Sequence, residues 1–285
     1  MLGLDAVTVA RSRHRLTEAG AAWISCSPTP ALAATGQGLL AVAEVDCADG
    51  SLLTVARALT ELPHVTAVEH VGGDRDLLLT VMATDLAALT HWVTRGIGAM
   101  QGIVAPRTHL ANTVYTEGSR WRLRALDRPR IARLAEAGAP RADTPLFALT
   151  DLDHALVGAL SMNGRATYRA LADACGTSPD TVRRRLGRLF AAGMLQPRCE
   201  VARPLSEWPV TAILWGRVAA EELESVSRSI TGAREVRLCA GLTGRNNILV
   251  VAWVKSLSDT RRFEIRLTQR PPAWISPTVP WPSGH

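Results

Sequence analysis

Apolar positions along the chain follow strand and helix rhythms in a fixed order, and that order occurs twice. Residues 38–47, Gly-Leu-Leu-Ala-Val-Ala-Glu-Val-Asp-Cys, predict a strand, and 51–61 predict an amphipathic helix carrying Leu52, Val55 and Leu59. Residues 65–71 and 77–83 predict two strands joined by the tight Gly72-Gly73-Asp74-Arg75-Asp76 turn. A helix over 85–95 puts Leu86, Leu89 and Trp92 on one side. A last strand lies within 101–114, where Pro106 implies an edge or a bulge. The second half predicts strand 210–218, helix 220–230, strands 235–240 and 248–254, helix 257–268 and a short strand 274–279. Val65 matches Val236, Gly73 matches Gly244, Leu86 matches Leu257, Trp92 matches Phe263 and Pro106 matches Pro277, all at one offset. Each half therefore predicts a βαββαβ unit with helices on one face of an antiparallel sheet. The other face needs cover, which favours pairing with a second copy.

A different pattern precedes the second unit. Residues 149–160 predict an amphipathic helix that Asn163-Gly164-Arg165 breaks, and 167–175 predict a second helix with Leu171 and Ala172 inward. After Gly176-Thr177, the stretch Ser178 to Gly193 predicts a third, with Ser178 as N-cap, Pro179 at the first helical position and Gly193 as the stop. Val182, Leu186 and Leu189 fall on one face at i, i+4, i+7, while Thr181, Arg183, Arg184 and Arg188 point elsewhere. Three short helices with a tight turn before the last predict a helix-turn-helix, whose final helix enters the DNA major groove. A twin of this last helix stands near the start: Thr8 to Gly20 matches Thr181 to Gly193 without a gap, and Cys26 and Cys199 share the offset. Among the differences, the twin has Ser12 at the place of Arg185 and Arg13 at the place of the apolar Leu186. A charge on a core seam is costly unless it finds a partner or snorkels.

The run Leu149…Asp153…Leu156-Val157…Leu160…Gly164-Arg165…Leu171-Ala172…Ser178…Thr181-Val182…Arg185-Leu186…Leu189…Gly193-Met194-Leu195 resembles the winged helix-turn-helix of the Lrp/AsnC family of bacterial transcription regulators. The βαββαβ unit that follows is similar to that family's effector-binding and oligomerisation domain. The resemblance covers almost the whole chain in two tandem copies. It implies an α+β fold: a remnant of a first helix-turn-helix in 1–35, a first βαββαβ domain in 36–116, and a basic helix and linker in 117–146. A complete winged helix-turn-helix in 147–205 and a second βαββαβ domain in 206–285 follow. The first copy begins at Leu2-Gly3-Leu4-Asp5, so the expectation is a module truncated by a misplaced start or by real loss, no longer an independent DNA reader.

For DNA, the candidate residues are Asp180, Thr181, Arg183, Arg184 and Arg188 for groove and phosphate contacts, with Ser178 and the helix-start amides suited to a phosphate. Arg185 matches the family arginine and either joins them or braces the fold. For an effector, the resemblance points to the turn between the second and third strands. In the family this turn carries a Gly-Asp-x-Asp pattern near a dimer interface that binds small molecules, commonly amino acids. Here the first unit has Gly73, Asp74 and Asp76, whereas the second has Gly244, Asn246 and Asn247, with both carboxylates lost. Carboxylates suit an ammonium group and asparagine offers only neutral hydrogen bonds, so effector chemistry is expected to differ between the units. A plain hairpin turn needs the same residue types.

Composition narrows the field. The net charge is +6 and Lys255 is the only lysine, so the basic character is almost entirely arginine, suited to phosphate and guanine recognition. Five scattered cysteines with no C-x-x-C pair predict reduced thiols rather than a disulfide frame or a zinc site. No apolar run approaches the ~18 residues of a membrane span, and the start lacks a secretory pattern, so a cytoplasmic protein is expected. No catalytic motif is present, and no catalytic residue, cofactor or metal is expected. The alternative is an enzyme: siroheme decarboxylases share a similar fold, and His64, His70, His91 and His109 fall in the first sandwich. A sensing or oligomerisation protein without DNA binding is the third reading. The expected partners are double-stranded DNA, an amino-acid-like effector and a second copy, with the two βαββαβ units pairing as a pseudo-dimer within one chain.

Overall fold

The computed structural model describes residues 5–35, 38–62, 64–118 and 144–268, together with the backbone of 274–278. Residues 119–143, which hold most of the predicted basic helix and linker, lie outside the described residues, as does the predicted end of the last strand at 279. In chain order the elements are α1 (Ala6–Glu18), β1 (Ala22–Pro28), β2 (Leu39–Cys47), α2 (Leu52–Thr60), β3 (Val65–His70), β4 (Leu77–Ala83), α3 (Leu86–His91) and β5 (Ile103–Thr116). There follow α4 (Asp151–Met162), α5 (Tyr168–Cys175), α6 (Pro179–Ala191), β6 (Leu195–Val201), β7 (Val210–Gly216), α7 (Leu223–Thr231), β8 (Val236–Leu242), β9 (Ile248–Val254), α8 (Leu257–Thr268) and β10 (Trp274–Thr278). The described residues fall into two compact units, one drawn from within 1–36 and 122–205 and the other from within 37–121 and 206–285.

The first unit is the helix-turn-helix with its wing. Thr150 and Asp153 form a reciprocal capping box at the start of α4, satisfying amides that the first helical turn leaves unpaired. Thr167 caps α5 by accepting from the Ala170 amide, and Gly176 ends it in the left-handed region at φ 62°, where a side chain is disfavoured. Leu156, Leu160, Leu171, Val182, Leu186 and Leu189 close one core. The N-terminal stretch also belongs to it. Cys26 and Leu32 are buried in that core, and β1 pairs antiparallel with β6 as a two-stranded wing. Ser25 faces Arg198, its own counterpart in the repeat, so the two strands meet about a local two-fold axis. Gly164 lets β1 dock: its N–H donates to the Ile24 carbonyl at 2.8 Å, and a Cβ there would stand 2.7 Å from the Ser25 carbonyl carbon.

The second unit is one eight-stranded sheet in the order β10-β7-β9-β8-β5-β2-β4-β3. Both predicted βαββαβ halves are present, and β5 joins them. Its first part, Ile103–Leu110, pairs with β2, and its second part, from Ala111 to Thr116, pairs with β8 of the other half. Pro106, which has no N–H to give, lies on the stretch that pairs with β2. Alternation along the strands separates three cores. Ala41, Ala43, Leu77 and Leu79 face α2 and α3, and Ala212, Leu214, Val250 and Ala252 face α7 and α8. The residues between them, Val42 and Leu78 from the first half and Ile213, Trp215 and Leu249 from the second, share the third core. The bare faces of the two halves therefore cover each other within one chain.

Candidate nucleic-acid interface and ligand domain

Helix α6 presents the predicted reading face. Ser178 Oγ accepts from the Thr181 amide at 3.2 Å and donates to Thr181 Oγ1 at 2.9 Å, which fixes the helix start. Arg183, Arg184 and Arg188 are exposed, as is Asp180, and Thr181 is half-buried. Arg183 Nη2 donates to Asp180 Oδ1 at 3.0 Å, and the Arg188 guanidinium stacks 4.4 Å from the centre of the Phe147 ring. Such exposed contacts are weak, so these arginines remain available to a polyanion. Arg185 differs. Its Nε donates to Asp153 Oδ1 at 2.8 Å, and its Nη2 donates to Asp153 Oδ2 and, at 2.6 Å, to Thr150 Oγ1. Of the two roles left open for Arg185, this is the brace: it ties the recognition helix to the cap of α4 through a carboxylate with no exposed surface. Burial pushes the Asp153 carboxyl up, but hydrogen bonds from Arg185 and Thr150 outweigh that and hold it below its ordinary value.

The two turns proposed for an effector are built alike despite their different chemistry. Gly73 and Gly244 both sit at φ 113°. Asp76 Oδ2 accepts from the Cys47 amide at 2.7 Å; in the second half Asn247 Oδ1 accepts from Val218, the counterpart of Cys47, at 2.9 Å. Asn247 Nδ2 also donates to the Val218 carbonyl at 2.7 Å. Both side chains thus tie the turn to the end of the neighbouring strand. Asp74 is exposed and beside Arg75, whose charge lowers its pKa, while Asn246 is half-buried.

Behind the first turn lies a polar group that periodicity did not single out. Glu44 is buried on β2 among apolar neighbours, and Arg75 Nη1 donates to its Oε1 at 2.6 Å. His109 Nε2 lies 3.4 Å from the same oxygen, and its Nδ1 lies 3.4 Å from the Thr243 carbonyl of the second half. Trp215, which stands where Glu44 stands in the repeat, packs against both: Arg75 Cζ is 5.3 Å and the His109 ring 5.1 Å from its ring centre. The one signal in the sequence is a lone glutamate inside Ala41-Val42-Ala43-Glu44-Val45. Of the four histidines considered for an enzyme, His64 and His91 line one cavity and His109 is held at Glu44. Burial lowers the pKa of His64. The thiols of Cys47 and Cys239 are pushed up by burial to about 11 and about 12, and no group of metal-ligating side chains is found among the described residues.

Comparison with known proteins matches both modules. Residues 149–189 match the AsnC-type helix-turn-helix domain, and residues 40–120 match the Lrp/AsnC ligand binding domain. An uncharacterized HTH-type transcriptional regulator of Sinorhizobium fredii (strain NBRC 101917 / NGR234) is 33% identical over 119 residues, covering 39% of this chain and 70% of the relative. One from Pyrococcus abyssi (strain GE5 / Orsay) is 25% identical over 116 residues, covering 40% and 79% respectively. Among solved structures, the siroheme decarboxylase NirDL in complex with an iron-uroporphyrin III analogue aligns over 99% of this chain and 82% of its own, at a TM-score of 0.60 and 16% identity. That likeness is one of fold. With both modules matched and a relative one-third identical along most of its length, this chain belongs to the Lrp/AsnC family of transcription regulators.

Proposed function

We propose that the protein is a sequence-specific DNA-binding regulator whose paired βαββαβ halves receive a small, amino-acid-like effector. The observation that carries the reading is helix α6: the last helix of a complete helix-turn-helix, braced through Arg185 and Asp153, with Arg183, Arg184 and Arg188 exposed. Family membership supports a regulator over a decarboxylase, because the relative at 33% identity is named a transcriptional regulator and the enzyme is alike in fold alone. The first turn, with Asp74 exposed and the Glu44–Arg75 pair behind it, is the better candidate for an ammonium-bearing effector; in the second turn Asn247 serves the backbone. We assign 147–205 as the one complete reading module of each chain, with 1–35 as its accessory strand and 36–116 and 206–285 as an internal pseudo-dimer. Two chains then present two reading heads to a roughly palindromic site. A DNA regulator works in the cytoplasm; among the described residues no helix is long and apolar enough to cross a membrane.

The test is fluorescence anisotropy of the full chain on DNA from upstream of its own reading frame and on a shuffled duplex, across a salt series. Binding is expected to weaken steeply with salt while keeping a preference of at least ~10³ for the specific duplex. Equal affinity for both duplexes contradicts sequence-specific regulation, and no binding at low salt favours the sensing protein without DNA function.

A further inference from the structure

A cavity of about 730 Å³ opens in the first βαββαβ half, at the end of β4 away from the Gly72–Asp76 turn. Its walls come from the start of β3, the end of β4 and the helix that begins at α3. The volume lies in the range of small-molecule sites.

The repeat shows how it arises. At the same offset, the second half has Glu235 for His64, Phe263 for Trp92, Arg266 for Arg95 and Leu267 for Gly96. There Phe263 and Leu267 are buried, and Arg266 Nη2 donates to Glu235 Oε1 at 2.6 Å, so side chains and an ion pair fill the place. In the first half the leucine is a glycine and the glutamate a histidine, which removes both the plug and the pair. The helix itself is widened: Trp92–Ile97 is π-helical, with the Gly98 amide donating to the Val93 carbonyl five residues back at 2.9 Å. Such turns are rare and gather at functional sites. Among the described residues two side chains of the lining carry buried polar atoms with no hydrogen-bond partner, Trp92 Nε1 and His64 Nε2; their rings meet edge to face at 4.7 Å, and Trp92 is only 6% exposed.

The lining selects the ligand. Met82, Ala88 and Trp92 make it largely apolar, Arg95 and His91 stand exposed at its rim, and among the described residues no carboxylate side chain lines it. We propose that this cavity binds a small organic monocarboxylate with an apolar body, its carboxylate held by Arg95 and His91 and its body laid against Trp92 and Ala88. A free amino acid fits less well, because its ammonium group meets no acid there. The site is separate from the effector turn and does not depend on DNA binding.

The experiment is isothermal titration calorimetry of the full chain with 4-methylpentanoate and, in parallel, with leucine, which differs only by the α-ammonium group. Saturable binding of 4-methylpentanoate is expected, at least ~10-fold tighter than leucine. Gly96→Leu, which restores the plug of the second half, is expected to abolish it. Arg95→Gln, an exposed change that keeps the fold in play if Gly96→Leu is misfolded by circular dichroism, is expected to weaken it ~10-fold or more. No saturable binding up to ~10 mM, equal affinity for leucine, or binding unchanged by Arg95→Gln overturns the proposal.

Discussion

Helices α1 and α6 are repeat counterparts, identical at five of thirteen aligned positions, and have opposite fates. Val182, Leu186 and Leu189 of α6 are buried, whereas no residue of α1 is: their counterparts Val9 and Leu16 are 41% and 49% exposed, and the counterpart of Leu186 is Arg13. The difference lies in what each helix packs against. α6 shares one core with α4 and α5, whereas among the described residues nothing buries a residue of α1. An amphipathic stripe therefore makes a reading head only where the chain also provides the surface to pack it and the carboxylate to aim it. The N-terminal stretch joins the module through its strand, because β1 completes the wing with β6 and Cys26 fills the core.

The largest expected effect comes from moving the α1 residue into α6. Leu186→Arg puts a charge at a position 4% exposed and is expected to cost ~4 kcal/mol or more, read as loss of the cooperative transition of the helix-turn-helix in urea. The converse change, Arg13→Leu, is expected to shift stability by no more than ~0.5 kcal/mol, since nothing on α1 is buried. Asp153→Ala strands the Arg185 guanidinium and is expected to cost ~3–5 kcal/mol by urea denaturation. A cost under ~1 kcal/mol would mean that Asp153 does not brace the helix.

The same pair gives a pH dependence. The Asp153 carboxyl is held below its ordinary value in the folded chain, so the unfolded chain takes up the extra proton on acidification. Its contribution is complete above the ordinary carboxylate value near ~4 and is lost as pH falls through the lower folded value. Urea midpoints measured on either side of pH ~4 are expected to fall less for Asp153→Asn than for the parent chain. Smaller again is Gly164→Ala, whose Cβ would meet the Ser25 backbone and displace β1; the expected cost is ~1–3 kcal/mol, checked by the same denaturation.

Much of this was legible in the sequence. Strand and helix periods located both βαββαβ halves, and caps and turn residues located the three helices, because those signals are local. The repeat offset carried through to three dimensions, where Met82 and Trp253 make the same backbone bond, to His64 and Glu235, each at 2.8 Å. What escaped was non-local. Asp153 and Arg185 stand 32 positions apart, so the brace could be suspected but not assigned. The extension of β5 into the second half depends on a partner strand, β8, more than a hundred residues away. Asp76 and Asn247 read as candidate ligand groups, and only their bonds to Cys47 and Val218 reveal a common backbone role. The π turn at Trp92–Ile97 left no periodic trace at all.

Helix α6, and not α1, is proposed to read DNA, and the repeat supplies a matched control, because Arg11 of α1 is the counterpart of Arg184 of α6. The direct measurement is the affinity of Arg184→Ala and Arg11→Ala full-length chains for the specific and shuffled duplexes under one salt condition. Arg184→Ala is expected to lose ~1–3 kcal/mol of discrimination between the duplexes if it pairs with a base, or affinity for both if it meets a phosphate. Arg11→Ala is expected to bind both duplexes as the parent does. Equal losses from the two substitutions, or a loss from Arg11→Ala alone, would mean that α6 is not the reading helix.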